Sequence, residues 1–111
     1  MTIEEINNIA CEIIANAGDS KSYSLEAIED AESGEFAQAR ECLEKADESL
    51  KRAHEIHTKL LVDEARDPGC ISATMMLIHA SNHLSVAEIS RELSERFVTV
   101  YETRKQEVKD V

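Results

Sequence analysis

At 111 residues the chain has the length of one domain and can bury a core of modest size. One proline, three glycines, two Phe, two Tyr and no Trp argue against an all-β fold, which needs many turns, and for a few long helices packed through Leu, Ile, Val, Ala and Met. The 23 acidic against 12 basic residues give a net charge of −11, which argues against a role on nucleic acid, where Lys and Arg must neutralise phosphates.

Thr2 with Glu5 makes a capping-box pattern, so a first helix is expected over residues 3–32. Ile6, Ala10, Ile13, Ala17, Ser24, Ile28 and Ala31 recur mostly at steps of three and four. Gly18 interrupts the run, and a glycine inside a helix costs roughly 1 kcal/mol. The pattern resumes beyond it, so one helix is read, with Gly18 as the place for any bend.

Gly34 is a natural C-terminal cap, and Glu35 suits the positive start of a second helix over 35–66. That helix presents Phe36, Ala39, Leu43, Ala46, Leu50, Ala53, His57 and Leu60 on one side, again at steps of three and four. Glu41 with Lys45 and Glu48 with Arg52 form exposed pairs. Asp67-Pro68-Gly69 is turn chemistry. A third helix is expected over 72–104, with a charged tail that frays. Helices of about 30 residues are about 45 Å long, and short connections make neighbours antiparallel. The expected architecture is all-α: one domain, residues 1–111, folded as an up-down-up three-helix bundle.

The third helix carries two stripes. Met75, His79, Asn82, Val86, Ile89, Leu93, Arg96 and Val100 alternate steps of four and three, as in a coiled-coil seam. Leu77, Ala80, Leu84, Ala87, Phe97 and Tyr101 line another side. A lone bundle needs one stripe per helix, so two stripes point to burial within the protomer and against other protomers. A polar residue in such a seam costs stability but fixes register, a role that suits Asn82.

His79 and His83 are one turn apart. Two imidazoles so spaced can be polar groups held by hydrogen bonds, half of a metal site, or a nucleophile with its neighbour; no HExxH accompanies them. His54 and His57 on the second helix read as structural. Cys11, Cys42 and Cys70 are odd in number and form no CxxC, which fits a reducing compartment without disulfides. The N-terminus lacks a signal-peptide layout, and the run from Ala73 to Ala80 is far shorter than the ~20 residues of a membrane span. A cytoplasmic protein is expected.

"EIIANAGDSKSYSLEAIEDAESGEFAQA" in the first helix, "ADESLKRAHEIHTKLLVDEA" in the second and "MMLIHASNHL" in the third resemble, in order, the lactose/cellobiose-type EIIA component of the bacterial sugar phosphotransferase system. The likeness covers residues 3–105. It implies a three-helix protomer assembled as a homotrimer. It implies a phosphotransferase component that carries phosphoryl on a histidine during uptake of a disaccharide of the lactose, cellobiose or chitobiose kind. The phosphoryl comes from HPr and passes to a cysteine of a IIB protein; the membrane IIC component is an indirect partner.

The family motif, His-any-any-Asp-His-Leu, places the phosphorylated histidine at His79 and the second histidine, a phosphate-stabilising neighbour, at His83. Read as mid-helix, His79 has no helix N-terminus to cradle a phosphate. Donors are expected from His83, Ser81, Ser85 or an adjoining protomer.

The family's metal ligand, an aspartate that shares an axial Mg among three subunits, falls at Asn82. Three carboxylates there would repel by about 4 kcal/mol per pair at ~4 Å and an effective dielectric of about 20, which a cation relieves. Asparagine is neutral, so no cofactor is expected to be required, with the family's Mg as the alternative. His57 also departs from the family's glutamine. The rival reading is a non-catalytic helical interaction module: "ESGEFAQARECLEKADESL" echoes a TPR hairpin, but no repeat of about 34 residues recurs.

Overall fold

Thr2 starts the first helix as its sequence suggests. Its hydroxyl accepts the Glu5 N–H at 3.1 Å, and the Glu5 carboxylate accepts the Thr2 N–H at 3.3 Å. Two of the N–H groups that a helix start leaves unpaired are thereby satisfied. The computed structural model describes residues 1–110, with side chains through Val108, and contains α1 (Ile3–Glu32), α2 (Phe36–Arg66) and α3 (Met75–Asp110). The described residues contain no strand.

α1 ends in a Schellman motif. Gly34 takes φ 80°, its N–H donates to the Ala31 carbonyl at 3.0 Å, and the Glu35 N–H donates to the Asp30 carbonyl at 2.8 Å. α2 ends at the Asp67-Pro68-Gly69 turn, where Gly69 takes φ 90°. The Glu64 carboxylate braces this turn by accepting the N–H of Gly69 at 3.0 Å and of Ile71 at 3.2 Å.

α3 begins at Met75, three residues later than the spacing suggests. Thr74 sets the start: its hydroxyl accepts the Leu77 N–H at 3.1 Å and donates to Asn7 of α1 at 2.7 Å. The helix also continues to Asp110, past the expected end at 104. Tyr101 packs on the core there, and the Lys105 ammonium lies 5.3 Å from the Phe36 ring centre, which supports the added turns.

α1 is the shared partner: it packs along both other helices, whereas α2 and α3 meet each other far less. The protomer is a rod of 62 × 20 × 18 Å. Its core has two apolar clusters. One holds Ala10, Ile13, Ala17, Ala53, Leu60, Ala80, Leu84 and Ala87; the other holds Ala27, Ala31, Ala39, Cys42, Leu43 and Val98. Buried Ser20, Ser24, Ser49 and Ser94 also line the interior. Ser20 donates to the Ala46 carbonyl at 2.8 Å, while the Ser24 and Ser94 hydroxyls find no partner among the described residues. Small side chains here let the helix backbones approach closely.

Polar pairs bridge α2 and α3. Arg91 forms a two-pronged bond to Asp47 at 2.7 and 3.0 Å, and Arg40 reaches Glu102 at 2.9 Å. Burial alone would lower the Arg91 pKa, but Asp47 and then Glu95 hold it above its ordinary value.

The inward stripe of α3 differs from expectation at its far end. Ala80, Leu84 and Ala87 are buried as read, but Ser94 and Val98 continue the line and Phe97 stands 48% exposed. The alternating three and four steps run Ala87, Arg91, Ser94, Val98, and Phe97 falls one position off them. The other stripe is bare: Met75 is 88% exposed, and Val86, Ile89, Leu93 and Val100 are about half exposed.

The two helix-related glycines should respond oppositely to alanine. Gly18 is helical with nothing within 4 Å of an added Cβ, so Gly18→Ala should raise stability by about 1 kcal/mol. Gly34 is left-handed, so Gly34→Ala should lower it by about 1 kcal/mol. Urea unfolding followed by circular dichroism at one protein concentration checks both; a gain at Gly34 would contradict the cap described above.

Candidate functional site

Residues 68–87 carry no Asp, Glu, Lys or Arg, in a chain where 32% of residues are charged. This neutral window covers the connection from Pro68 and the first 13 of the 36 residues of α3. Within it the structure brings His79 and His83 together. Their Nε2 atoms are 3.0 Å apart, their ring centres 4.4 Å apart, and the rings are nearly perpendicular at 88°. His79 is exposed and His83 half-buried.

A single proton can occupy that Nε2–Nε2 bond, so one imidazole donates and the other accepts with its lone pair. When His83 donates, His79 holds the unprotonated nitrogen at the surface. Once that bond opens, the pair supplies a nucleophile and an N–H donor at one point. Protonating both rings would leave two donors facing each other and break the bond.

The late start of α3 changes the setting of His79. It lies four residues from the first helical residue and not in mid-helix. Side chains on a helix lean toward its N-terminus, so the imidazole leans over the first turn, where the macrodipole favours negative charge. The expected donors divide. Ser81 gives its hydroxyl proton to the Leu77 carbonyl at 3.1 Å and accepts from His57 Nε2 at 3.1 Å, so it faces α2 and is engaged there. Ser85 is exposed.

The other two histidines do not join the pair. His57 sits behind it in the α2–α3 groove through Ser81, and His54 meets Glu88 at 2.9 Å on the surface. Both tie α2 to α3, as structural histidines should. Asn82 is exposed on the bare stripe of α3.

Two features escape the sequence patterns. The first is a largely apolar groove of about 290 Å³ between α2 and the start of α3, lined by residues that include His57, Leu60, Leu61, Glu64, Leu77 and Ile78. Leu60-Leu61-Val62 is the signal for it, because three consecutive apolar residues exceed one inward stripe. The second is a group of donor atoms of Glu26, Asp30 and Cys42 within 4.8 Å of one another. The Cys42 thiol donates to Asp30 at 3.4 Å, and burial, the Asp30 bond and the Glu26 charge push its pKa up to about 11. That thiol is a packed, protonated group and not a nucleophile.

Known proteins resemble the chain over most of its length. The family described as "PTS system, Lactose/Cellobiose specific IIA subunit" matches residues 8–102, which include the histidine pair. The lactose-specific EIIA component of Staphylococcus epidermidis is 33% identical over 101 residues, 91% of this chain and 96% of that protein. The crystal structure of the cellobiose-specific enzyme IIA from Bacillus anthracis aligns with a TM-score of 0.88 at 33% identity, covering 96% of this chain and 94% of that one. The IIA(chitobiose) protein of the Escherichia coli N,N'-diacetylchitobiose branch, solved in solution in complex with HPr, aligns with a TM-score of 0.79 at 28% identity, covering 90% of this chain and 96% of that one. No helix among the described residues is long and apolar enough to cross a membrane. The resemblance read from the three helical segments is borne out, and with a family match over most of its length the chain belongs to the lactose/cellobiose-specific IIA subunits of the phosphotransferase system.

Proposed function

We propose that this IIA subunit works through a phosphohistidine at His79, loaded by HPr and unloaded onto a cysteine of a IIB protein. The observation that carries the reading is the exposed His79–His83 pair bonded through Nε2 at 3.0 Å. The Nε2 lone pair of His79 attacks phosphorus, a P–N bond forms, and the P–N bond of the donor phosphohistidine breaks. The His83 N–H, released from His79 Nε2, turns to a phosphoryl oxygen. In the second transfer a cysteine thiolate attacks phosphorus, a P–S bond forms, and His79 Nε2 recovers its lone pair. Such transfers depend on positioning and charge stabilisation, which the His83 donor and the nearby helix start supply. The neutral window places no carboxylate on the turns of α3 that carry the pair, which favours approach of the dianionic group.

We also propose a homotrimer closed by the bare stripe of α3. Val86, Ile89 and Leu93 each contribute about 1.5–3 kcal/mol on full burial, before the cost of association. His79 lies on this stripe, so an adjoining protomer flanks its imidazole. The IIB protein and, through it, a membrane IIC component are the onward partners.

Incubation with phosphoenolpyruvate, enzyme I and HPr should add one phosphate to the intact mass, stable in alkali and labile in acid. His79→Ala should abolish it, and substitution of Cys11, Cys42 or Cys70 should not. Full labelling of His79→Ala would end the assignment. His83→Ala should still accept phosphate but roughly 100-fold more slowly, as removal of one charge-stabilising donor does; an unchanged rapid-quench rate would remove His83 from the mechanism.

Light scattering at micromolar concentration should report about three times the 12.4 kDa chain. Leu93→Asp should reduce it to the single-chain mass with helical content retained. A strictly monomeric unmodified protein would refute the assembly.

A further inference from the structure

We infer that the α3 seam closes on a neutral amide layer at Asn82, so that the trimer forms without a bound cation. The inference rests on the homotrimer reading above and concerns what fills its axis. Asn82 keeps the seven-residue register of Met75 and Ile89 on the bare stripe, so when Ile89 is covered by other copies Asn82 is covered with it.

A divalent cation at that level would need hard anionic oxygens. Residues 68–87 supply none. The first carboxylate beyond them, Glu88, is held by His54 at 2.9 Å. The next, Glu92, lies 3.5 Å from Arg96, itself a residue of the seam. Among the described residues the grouping of three metal-type donors is Glu26, Asp30 and Cys42, on α1 and α2 and not on the seam. At position 82 a cation would find amide oxygens and nearby imidazoles alone. The residues present do not fit the axial Mg that the family implies.

Three amides fit one another better. Each offers two N–H donors and a carbonyl acceptor, so three related by a threefold axis can close a ring of hydrogen bonds or share a central water. Such a layer carries no charge to neutralise. It still penalises a shifted register, because a slipped helix would set each amide against Val86 or Ile89 with its hydrogen bonds unmade. Replacing the amide by carboxylate would restore the mutual repulsion and with it the demand for a cation.

The test is light scattering of the full chain and of Asn82→Asp, each in EDTA and in millimolar Mg, with circular dichroism to confirm that both stay helical. The unmodified protein should keep its trimer mass in EDTA, with an unchanged melting temperature. Asn82→Asp should dissociate in EDTA, its dissociation constant rising roughly 100-fold or more, and should recover in Mg. If the unmodified protein is a trimer in Mg and a monomer in EDTA, the inference is overturned while the homotrimer stands. If Asn82→Asp ignores chelator, position 82 is not at the axis and the inference again fails. A monomer in every buffer would overturn the homotrimer itself, and this inference with it.

Discussion

Helix α3 has two apolar stripes, and the protomer can cover one of them. α1 takes the stripe of Ala80, Leu84, Ala87 and Val98, because its own Ala10, Ala17 and Ala27 are small enough for close approach. α2 lies on another side of α1 and meets α3 less closely, sharing the two apolar clusters and polar bridges at Arg91, His54, His57 and Arg40. The second stripe is therefore left facing outward, with Val86, Ile89, Leu93 and Val100 about half exposed. Both the proposed assembly and the location of the histidine pair follow from this one geometric constraint.

Charge is distributed around the same constraint. A chain with net charge −11 keeps residues 68–87 free of formal charge, and that window includes the pair, the α3 side of the groove and the upper part of the bare stripe. Carboxylates close to His79 would oppose an incoming phosphoryl group, and carboxylates in the seam would oppose association. Acidic residues elsewhere give the protein a negative field that favours the approach of basic surfaces, and they lie outside the window that carries the pair.

The start of α3 links fold to chemistry. Thr74 caps the helix and is itself bonded to Asn7 of α1. Helix α3 therefore begins late enough for His79 to sit in its second turn. The Glu64 brace at Gly69 and Ile71 holds the preceding turn, and with it one wall of the groove. On the far side, Ser81 is engaged by His57 and by the Leu77 carbonyl, while the His79–His83 bond lies apart from them on α3.

Much of this was legible in the residues taken in order. The Thr2–Glu5 box, the Gly34 cap and the Asp67-Pro68-Gly69 turn set the helices to within a residue or two, except at both ends of α3. The adjacency of His79 and His83 needed nothing beyond helical spacing. The two stripes of α3 were visible as periodicity. These features depend on hydrogen bonds and steric contacts between residues a few positions apart, which sequence records directly.

The tertiary structure decided what distant residues had to settle. Thr74 became a cap anchored to Asn7, which shortened the start of α3. Val98 went inward and Phe97 outward, because α1 accepts a stripe that passes through Ser94. Ser81 turned to His57, which removed it from the expected phosphate donors, and Cys42 came to lie against Asp30. Each outcome is a choice among partners separated by 12 or more positions, and the energy that makes the choice appears only when α1, α2 and α3 are packed together.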